Sequence, residues 1–380
     1  MQLANHQTML LQSGIRRILK NGDLAASGLF ALAAWIGAGG ERAVFSYIKW
    51  DVLAVLLSLM LVLGGLRAMG AIEAVCGLIL ETCRTARQVA LFFTGACFFG
   101  SMLITNDASL LLFVPESIAV LRRLRQDRWI IHTVVLETLA ANLGSTLLPS
   151  GNPQNLYLYF HYQLDLGDFL AVTLPITLAS SLLLYGACRL VPASPVPILR
   201  PPLFFVKGRA FFWYTALFLV IGLVILRLLP VEILAFVIIG ALLTDRTLLY
   251  KVDWKLLSLF IVLFVGVGNL EHWSGLSDFI TGSLAGWELE AGILASQIIS
   301  NVPAAVLLSG YTEEGLSLVA GTDIGGLGTL IASMASLISF RAYAHMEGHQ
   351  VWAYLRAFTW WNLGFLAVLY AGAKACAALL

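Results

Sequence analysis

Apolar residues run along this chain in blocks long enough to cross the ~30 Å hydrocarbon of a bilayer as helices of about 20 residues. The pattern predicts about nine full crossings, over 23–40, 51–68, 130–160, 168–190, 210–229, 231–245, 254–270, 316–340 and 352–373. Two of these, 130–160 and 316–340, are interrupted by Gly, Pro and polar residues and are predicted to be broken helices. Two further apolar stretches, 88–120 and 288–312, carry a polar break near their middle. Each is predicted to be a re-entrant hairpin of two short helices meeting at a tip. The fold class is therefore all-α and polytopic.

Composition narrows the picture. Of 380 residues, 59% are hydrophobic and 12% charged, against about 25% charged in a soluble domain. That excludes a soluble enzyme, a nucleic-acid binder and a disordered chain. The five cysteines are widely spaced in apolar runs and suggest neither disulfide framework nor zinc site.

The net charge of +1 is uninformative, but the positions of the charges are not. With a cytoplasmic N-terminus and both hairpins returning to the side they enter from, only Arg42, Lys49, Arg227 and Lys374 lie outside; the remaining basic residues lie inside. The loops 161–168 and 271–290 are acidic and lack Lys and Arg. This places the C-terminus outside, in an inner (cytoplasmic) membrane. Residues 1–22 read as an N-terminal cytoplasmic amphipathic segment, and 70–87 and 274–286 as interfacial helices. The Pro-rich stretch 191–208 reads as a cytoplasmic linker.

The chain also repeats itself. Ser101-Met-Leu-Ile-Thr-Asn106 matches Ser296-Gln-Ile-Ile-Ser-Asn301, and Asn142-Leu-Gly-Ser145 matches Asp323-Ile-Gly-Gly326. The first hairpin enters from inside and the second from outside, so residues 23–190 and 230–380 form two inverted repeats. Residues 191–229, linker plus connecting helix, invert the second copy. Inverted repeats with broken helices mark transporters.

Four motifs follow. The first tip carries Thr105, Asn106 and Asp107; Thr105 and Asn106 are N-cap types for the second arm, and a carboxylate at this depth is costly unless it has a function. The first break carries Asn142, Gly144, Ser145, Gly151, Asn152, Pro153 and Asn155. The second tip carries Ser300, Asn301 and Pro303, with no carboxylate. The second break carries Asp323, Gly325, Gly326 and Ser333. Glu137 and Glu116 are candidates for a proton relay or for partners of an Arg.

The stretches 104–115, 141–158, 296–308 and 321–338 resemble the ion transporter superfamily, in its arsenite-permease, citrate-transporter-like and NhaD-type antiporter branch. The resemblance implies a homodimer and an elevator mechanism. In the related dicarboxylate carriers, Ser-Asn-Thr at each tip lines the substrate and sodium sites. Here the third position departs in both copies, to Asp107 and Val302. A single acidic tip fits arsenite-permease and antiporter relatives better than two symmetric sodium sites.

These readings predict a secondary active transporter for a small anion (inorganic oxyanion, metalloid or carboxylate), coupled to H+ or Na+. It needs no cofactor beyond that ion, works in a lipid bilayer and has no nucleic-acid partner. Asn106, Asn301 and the helix N-termini would contact substrate. Asp107, Asp323 and Glu137 would serve the coupling ion, with a Na+ position at Asn106 and Asp107. The alternative is a Na+/H+ antiporter; an intramembrane enzyme built on an Asp107–Asp323 pair is a remote one.

Overall fold

The computed structural model describes residues 24–39, 44–70, 77–197, 208–273 and 275–377. The amphipathic segment 1–22 and most of the Pro-rich linker lie outside the described residues. In chain order the main helices are α1 Leu24–Gly37, α2 Trp50–Ala68, α3 Ala86–Ile104, α4 Asn106–Arg123, α5 Ile130–Gly144, α6 Pro153–His161, α7 Leu166–Cys188 and α8 Gly208–Ile225. They continue with α9 Leu234–Thr244, α10 Trp254–Leu270, α11 Leu276–Leu284, α12 Glu288–Ile299, α13 Asn301–Ser309, α14 Gly315–Gly325, α15 Met334–Ala344 and α16 Val351–Ala377. Among the described residues the one β contact is an isolated bridge between Thr85 and Pro195.

Local chemistry sets the ends. Thr85 and Gln88 form a reciprocal capping box that starts α3. Asn152 caps α6 by accepting from the Asn155 N–H at 2.8 Å, with Pro153 in the first turn, where no N–H is needed. Helices α2, α3, α7 and α8 are each long and apolar enough to cross a membrane alone. The predicted crossing 231–245 is met by Val231–Thr244, including a 3-10 turn at Val231–Ile233, and the predicted 23–40 by the shorter helix Leu24–Gly37.

The apolar side chains form two cores. One joins α2, α6, α8, α9, α10 and α13, with Val55, Leu61, Tyr214 and Phe260 fully buried. The other joins α3, α4, α5, α7, α15 and α16. Burial of this area is the main force holding the helices together within each group. Large apolar side chains such as Leu182, Phe212, Phe236 and Ile298 remain exposed on the outer surface, where a bilayer would cover them.

Polar contacts sort the loops onto two faces. On the first, Arg87 Nε donates to Val191 O at 2.8 Å and Arg122 donates to Glu347 O. On the second, Arg227 donates to Gln163 O at 3.0 Å, Lys374 pairs with Glu290 at 2.8 Å, and Thr312 Oγ1 donates to Glu288 Oε1 at 3.3 Å. The α3–α4 pair begins and ends at the first face. The α12–α13 pair begins beside Thr312, where it also ends. Both are hairpins that return to the face they leave, and they enter from opposite faces. Chains α5–α6 and α14–α15 each cross between the faces with a break at 145–152 and 326–333.

Candidate functional site

The four motifs meet between the hairpin tips and the helix breaks. Asn106 is the first residue of α4 and Asn301 the first of α13. The residues before them, Thr105 and Ser300, share one backbone conformation, φ 73° with ψ 155° and φ 73° with ψ 152°. That region is occupied almost only by glycine and costs other residues about 1–3 kcal/mol. It also corrects the expectation that Thr105 caps α4. A capping residue sits in the β region and aims its oxygen at the first free amides, and Thr105 at positive φ makes no such bond. Asn106 is not a cap either: it lies within the helix, and its Oδ1 accepts from the Asp107 N–H at 2.9 Å.

Asn142, near the end of α5, ties the motifs together. Its Oδ1 accepts from Asn106 Nδ2 at 3.5 Å and from Ser333 Oγ at 3.0 Å, and its Nδ2 donates to Gly326 O at 3.5 Å. Ser333 also caps α15, accepting from Ala335 N at 3.3 Å. The second tip is anchored to the same break, because Asn301 N donates to Ala332 O at 2.9 Å. At Gly326 a Cβ would lie 3.0 Å from Asn301 Nδ2.

A second knot surrounds Asp323, which is 3% exposed. Its Oδ1 accepts from Asn152 Nδ2 at 3.0 Å and its Oδ2 from Asn155 Nδ2 at 2.8 Å. Asn152 thus caps α6 with its oxygen and holds Asp323 with its nitrogen. Ser145 Oγ donates to Asn142 O at 2.8 Å and is itself 3.5 Å from Asn152 Nδ2, which links the two knots. Gly151 packs against the Ser145 carbonyl. Pro303 lies in the first turn of α13, where a missing N–H costs nothing.

The carboxylates differ in their surroundings. Asp107 is half-buried, with Oδ1 buried and unpaired. Asp323 has both oxygens taken. The two share no hydrogen bond. Glu137 lies on α5 away from both knots and is bonded to Ser117, not to an Arg. Glu116 is exposed. The N-termini of α4, α6, α13 and α15 all lie at the tips and breaks, which brings positive dipole ends together, with one first-turn amide of each already held by Asn106, Asn152, Ala332 or Ser333. Such a setting accepts anions, while the carbonyls at the breaks accept cations.

Gln297 is a site residue that none of the four motifs includes. Its Nε2 donates to Gly325 O at 2.8 Å and Leu327 O at 2.9 Å, and its Oε1 accepts from Thr329 N at 2.9 Å. It thereby satisfies backbone freed by the break after α14. An amide one turn before a hairpin tip, inside an apolar arm, was the available signal.

The citrate transporter family model matches residues 15–322. The chain is 29% identical over 316 residues to the inner membrane protein YbiR of Escherichia coli, covering 77% of this chain and 80% of that one. It is 30% identical over 303 residues to an uncharacterized transporter of Methanocaldococcus jannaschii, covering 78% and 82%. It is 23% identical over 311 residues to the arsenical pump membrane protein of Yersinia enterocolitica, covering 70% and 72%. With the helical architecture and the broken-helix site, these matches mean that the chain belongs to the citrate transporter family, within the ion transporter superfamily, and is a multi-pass membrane transporter rather than an enzyme.

Proposed function

We propose that this protein is a secondary active transporter that moves a small anion (an inorganic oxyanion, a metalloid oxyacid or a carboxylate) across the inner membrane, coupled to H+ or Na+. The observation that carries the reading is Asn142, which bridges Asn106 of one tip and Ser333 and Gly326 of the opposite break. Around it four helix N-termini direct their positive dipole ends and remaining first-turn amides toward an anion. The names of the citrate transporter family and of the arsenical pump relative support this substrate class.

Within the site, Thr105, Asn106, Ser300 and Asn301 at the tips, Asn142, Gly144, Ser145, Gly151, Asn152, Pro153 and Asn155 in the first break, and Pro303, Gly325, Gly326 and Ser333 form the substrate-binding frame. Asp107 is the group within the substrate site that exchanges the coupling ion, because one of its oxygens is unpaired. Asp323, whose oxygens are held by Asn152 and Asn155, positions the two breaks.

Residues 23–190 and 230–380 are two inverted repeats, joined through 191–229. The matched conformations of Thr105 and Ser300 support this, as do the opposite faces from which the hairpins enter. The two separate cores support an elevator-like displacement of one helix group against the other. The protein works as a homodimer with the N-terminus cytoplasmic.

The test is a thermal-shift panel on purified protein with sodium, arsenite, citrate, succinate, sulfate and phosphate. A ligand that binds only the folded state raises its stability, so one anion should shift the transition. Asp107→Asn should keep anion binding and lose the pH or sodium dependence of flux. Unchanged coupling in that variant would overturn the role of Asp107. A second reading, a Na+/H+ antiporter, is favoured by the unpaired Asp107 oxygen; proton release on adding sodium without any anion would select it.

A further inference from the structure

We propose that Glu137 is a proton-exchange site of the transport cycle, apart from the substrate site and loaded through its Oε1. This rests on reading the chain as an ion-coupled transporter. Glu137 is fully buried in the middle of α5. Its Oε2 accepts from Ser117 Oγ on α4 at 2.8 Å, and its Oε1 is buried with no partner. A carboxylate removed from water is normally paired with a cation or held by several donors. Glu137 has one hydroxyl. The Arg partner that its position suggested is absent among the described residues.

The groups that face it are titratable but uncharged. Tyr354 of α16 and Cys188 of α7 lie within electrostatic reach, and α3, α4, α15 and α14, which carries Asp323, also pack on α5 but set no charged side chain against Glu137. The hydroxyl of Thr133, one turn earlier on α5, is buried without a partner, while the buried Tyr354 hydroxyl lies against Thr138 of α5. Ser109 on α4 and Ser336 on α15 add two more buried, unpaired hydroxyls. Helices α4, α5 and α15 pack on one another, and α16 packs on α5.

Buried polar groups are nearly always paired, so a buried carboxylate oxygen left unpaired, with further unpaired hydroxyls on the helices packed around it, calls for a function. Glu137 stands five residues before Asn142, about 7.5 Å along the helix axis. It lies toward the face that carries Arg122 and Asp127, which are 3.9 Å apart. Oxygens that can accept and then donate, between a substrate site and one face, suit proton passage. Uptake forms one O–H bond at Oε1 with a proton from water. Release breaks that bond and returns the proton to water. The Ser117 hydrogen bond to Oε2 can persist throughout.

The test uses the full chain in lipid vesicles and Glu137→Gln, which keeps the side-chain length and can still accept from Ser117. Infrared difference spectra taken while stepping pH should show the carbonyl stretch of a protonated carboxyl varying in intensity. That band should be lost in Glu137→Gln, retained in Asp107→Asn and shifted in frequency in Ser117→Ala. With radiolabelled citrate, arsenite or phosphate in proteoliposomes, Glu137→Gln should keep exchange of the transported anion and lose uptake driven by a pH gradient. A titrating band unchanged in Glu137→Gln, no shift in Ser117→Ala, or gradient-driven uptake equal to the unmutated protein would each overturn the proposal. If the unmutated protein exchanges none of these anions, the anion-transport reading falls, while the infrared spectra still decide the role of Glu137.

Discussion

The Asp323 carboxylate and the Asn155 amide, 168 residues apart in the chain, meet in a 2.8 Å hydrogen bond inside the bundle. Asn152 grips the other oxygen at 3.0 Å. One side chain therefore joins the break of the first half to that of the second. Without it, two buried amide groups lose a charged acceptor, and hydrogen bonds to charged groups contribute about 1.5–3 kcal/mol each. Asp323→Ala should lower the unfolding free energy by at least about 2 kcal/mol, seen as an earlier thermal transition in detergent. Asp323→Asn, which can still accept one bond, should lose less. An unchanged transition in Asp323→Ala would remove the clasp from the account.

The shared backbone conformation at the tips makes an opposite prediction. Thr105 and Ser300 occupy φ 73°, where a Cβ is disfavoured. Replacing either by Gly relieves about 1–3 kcal/mol of strain, against roughly 0.5–1 kcal/mol for the extra freedom of Gly in the unfolded chain. Thr105→Gly and Ser300→Gly should each raise the thermal transition while slowing anion exchange, because a relaxed tip no longer holds Asn106 or Asn301 in place. Lower stability in both variants would show that the strain is not there.

Two glycines at the helix ends before the breaks sit tightly against a neighbouring helix. A Cβ on Gly144 would meet the Phe98 carbonyl and sit 2.6 Å from Ser101 Oγ. A Cβ on Gly325 would sit 2.7 Å from Ser296 Oγ and 3.0 Å from Gly292 O. Overpacking costs about 1–3 kcal/mol, so Gly144→Ala and Gly325→Ala should both destabilise. Gly364→Ala on α16 is the control, since its Cβ meets nothing within 4 Å. There the variant should be neutral or gain up to about 1 kcal/mol, because Gly is a poor helix residue. Equal effects at all three positions would contradict the packing.

The topology can be read with one thiol. Cys376 is exposed, while Cys83, Cys97 and Cys188 are buried. In a Cys76→Ser background, a membrane-impermeant maleimide applied to intact cells should label Cys376, because the end of α16 lies with Glu290 on the face assigned to the outside. Labelling only after the cells are opened would reverse the orientation.

Much of the fold is legible in the residues themselves. The predicted hairpin break falls at Thr105 and the predicted helix breaks at 145–152 and 326–333, because Gly, Pro and small polar residues interrupt a helix wherever it is packed. The predicted crossing 254–270 coincides with α10. The predicted crossing 231–245 is met by Val231–Thr244, whose first turn is 3-10, and the predicted 23–40 by a helix Leu24–Gly37 that ends in a turn at Ala38 and Gly39. The capping role given to Thr105 failed because residue type encodes the capacity to cap, while the tip geometry sets φ. The role of Gln297 was hidden because its partners are backbone atoms of a segment some 30 residues downstream.

By itself, the sequence determined that this is a membrane protein, where its helices lie to within a few residues, and which four polar segments interrupt them. Those properties are local: hydrophobic length, backbone breakers and caps act within a few residues. Only the tertiary structure decided that Asn142 bridges both halves, that Asp323 is clasped by Asn152 and Asn155 while Asp107 keeps an unpaired oxygen, and that Glu137 has no cation beside it. Three carboxylates that look alike in an apolar sequence differ because each is met by whichever donors the packing of distant helices brings within hydrogen-bond reach.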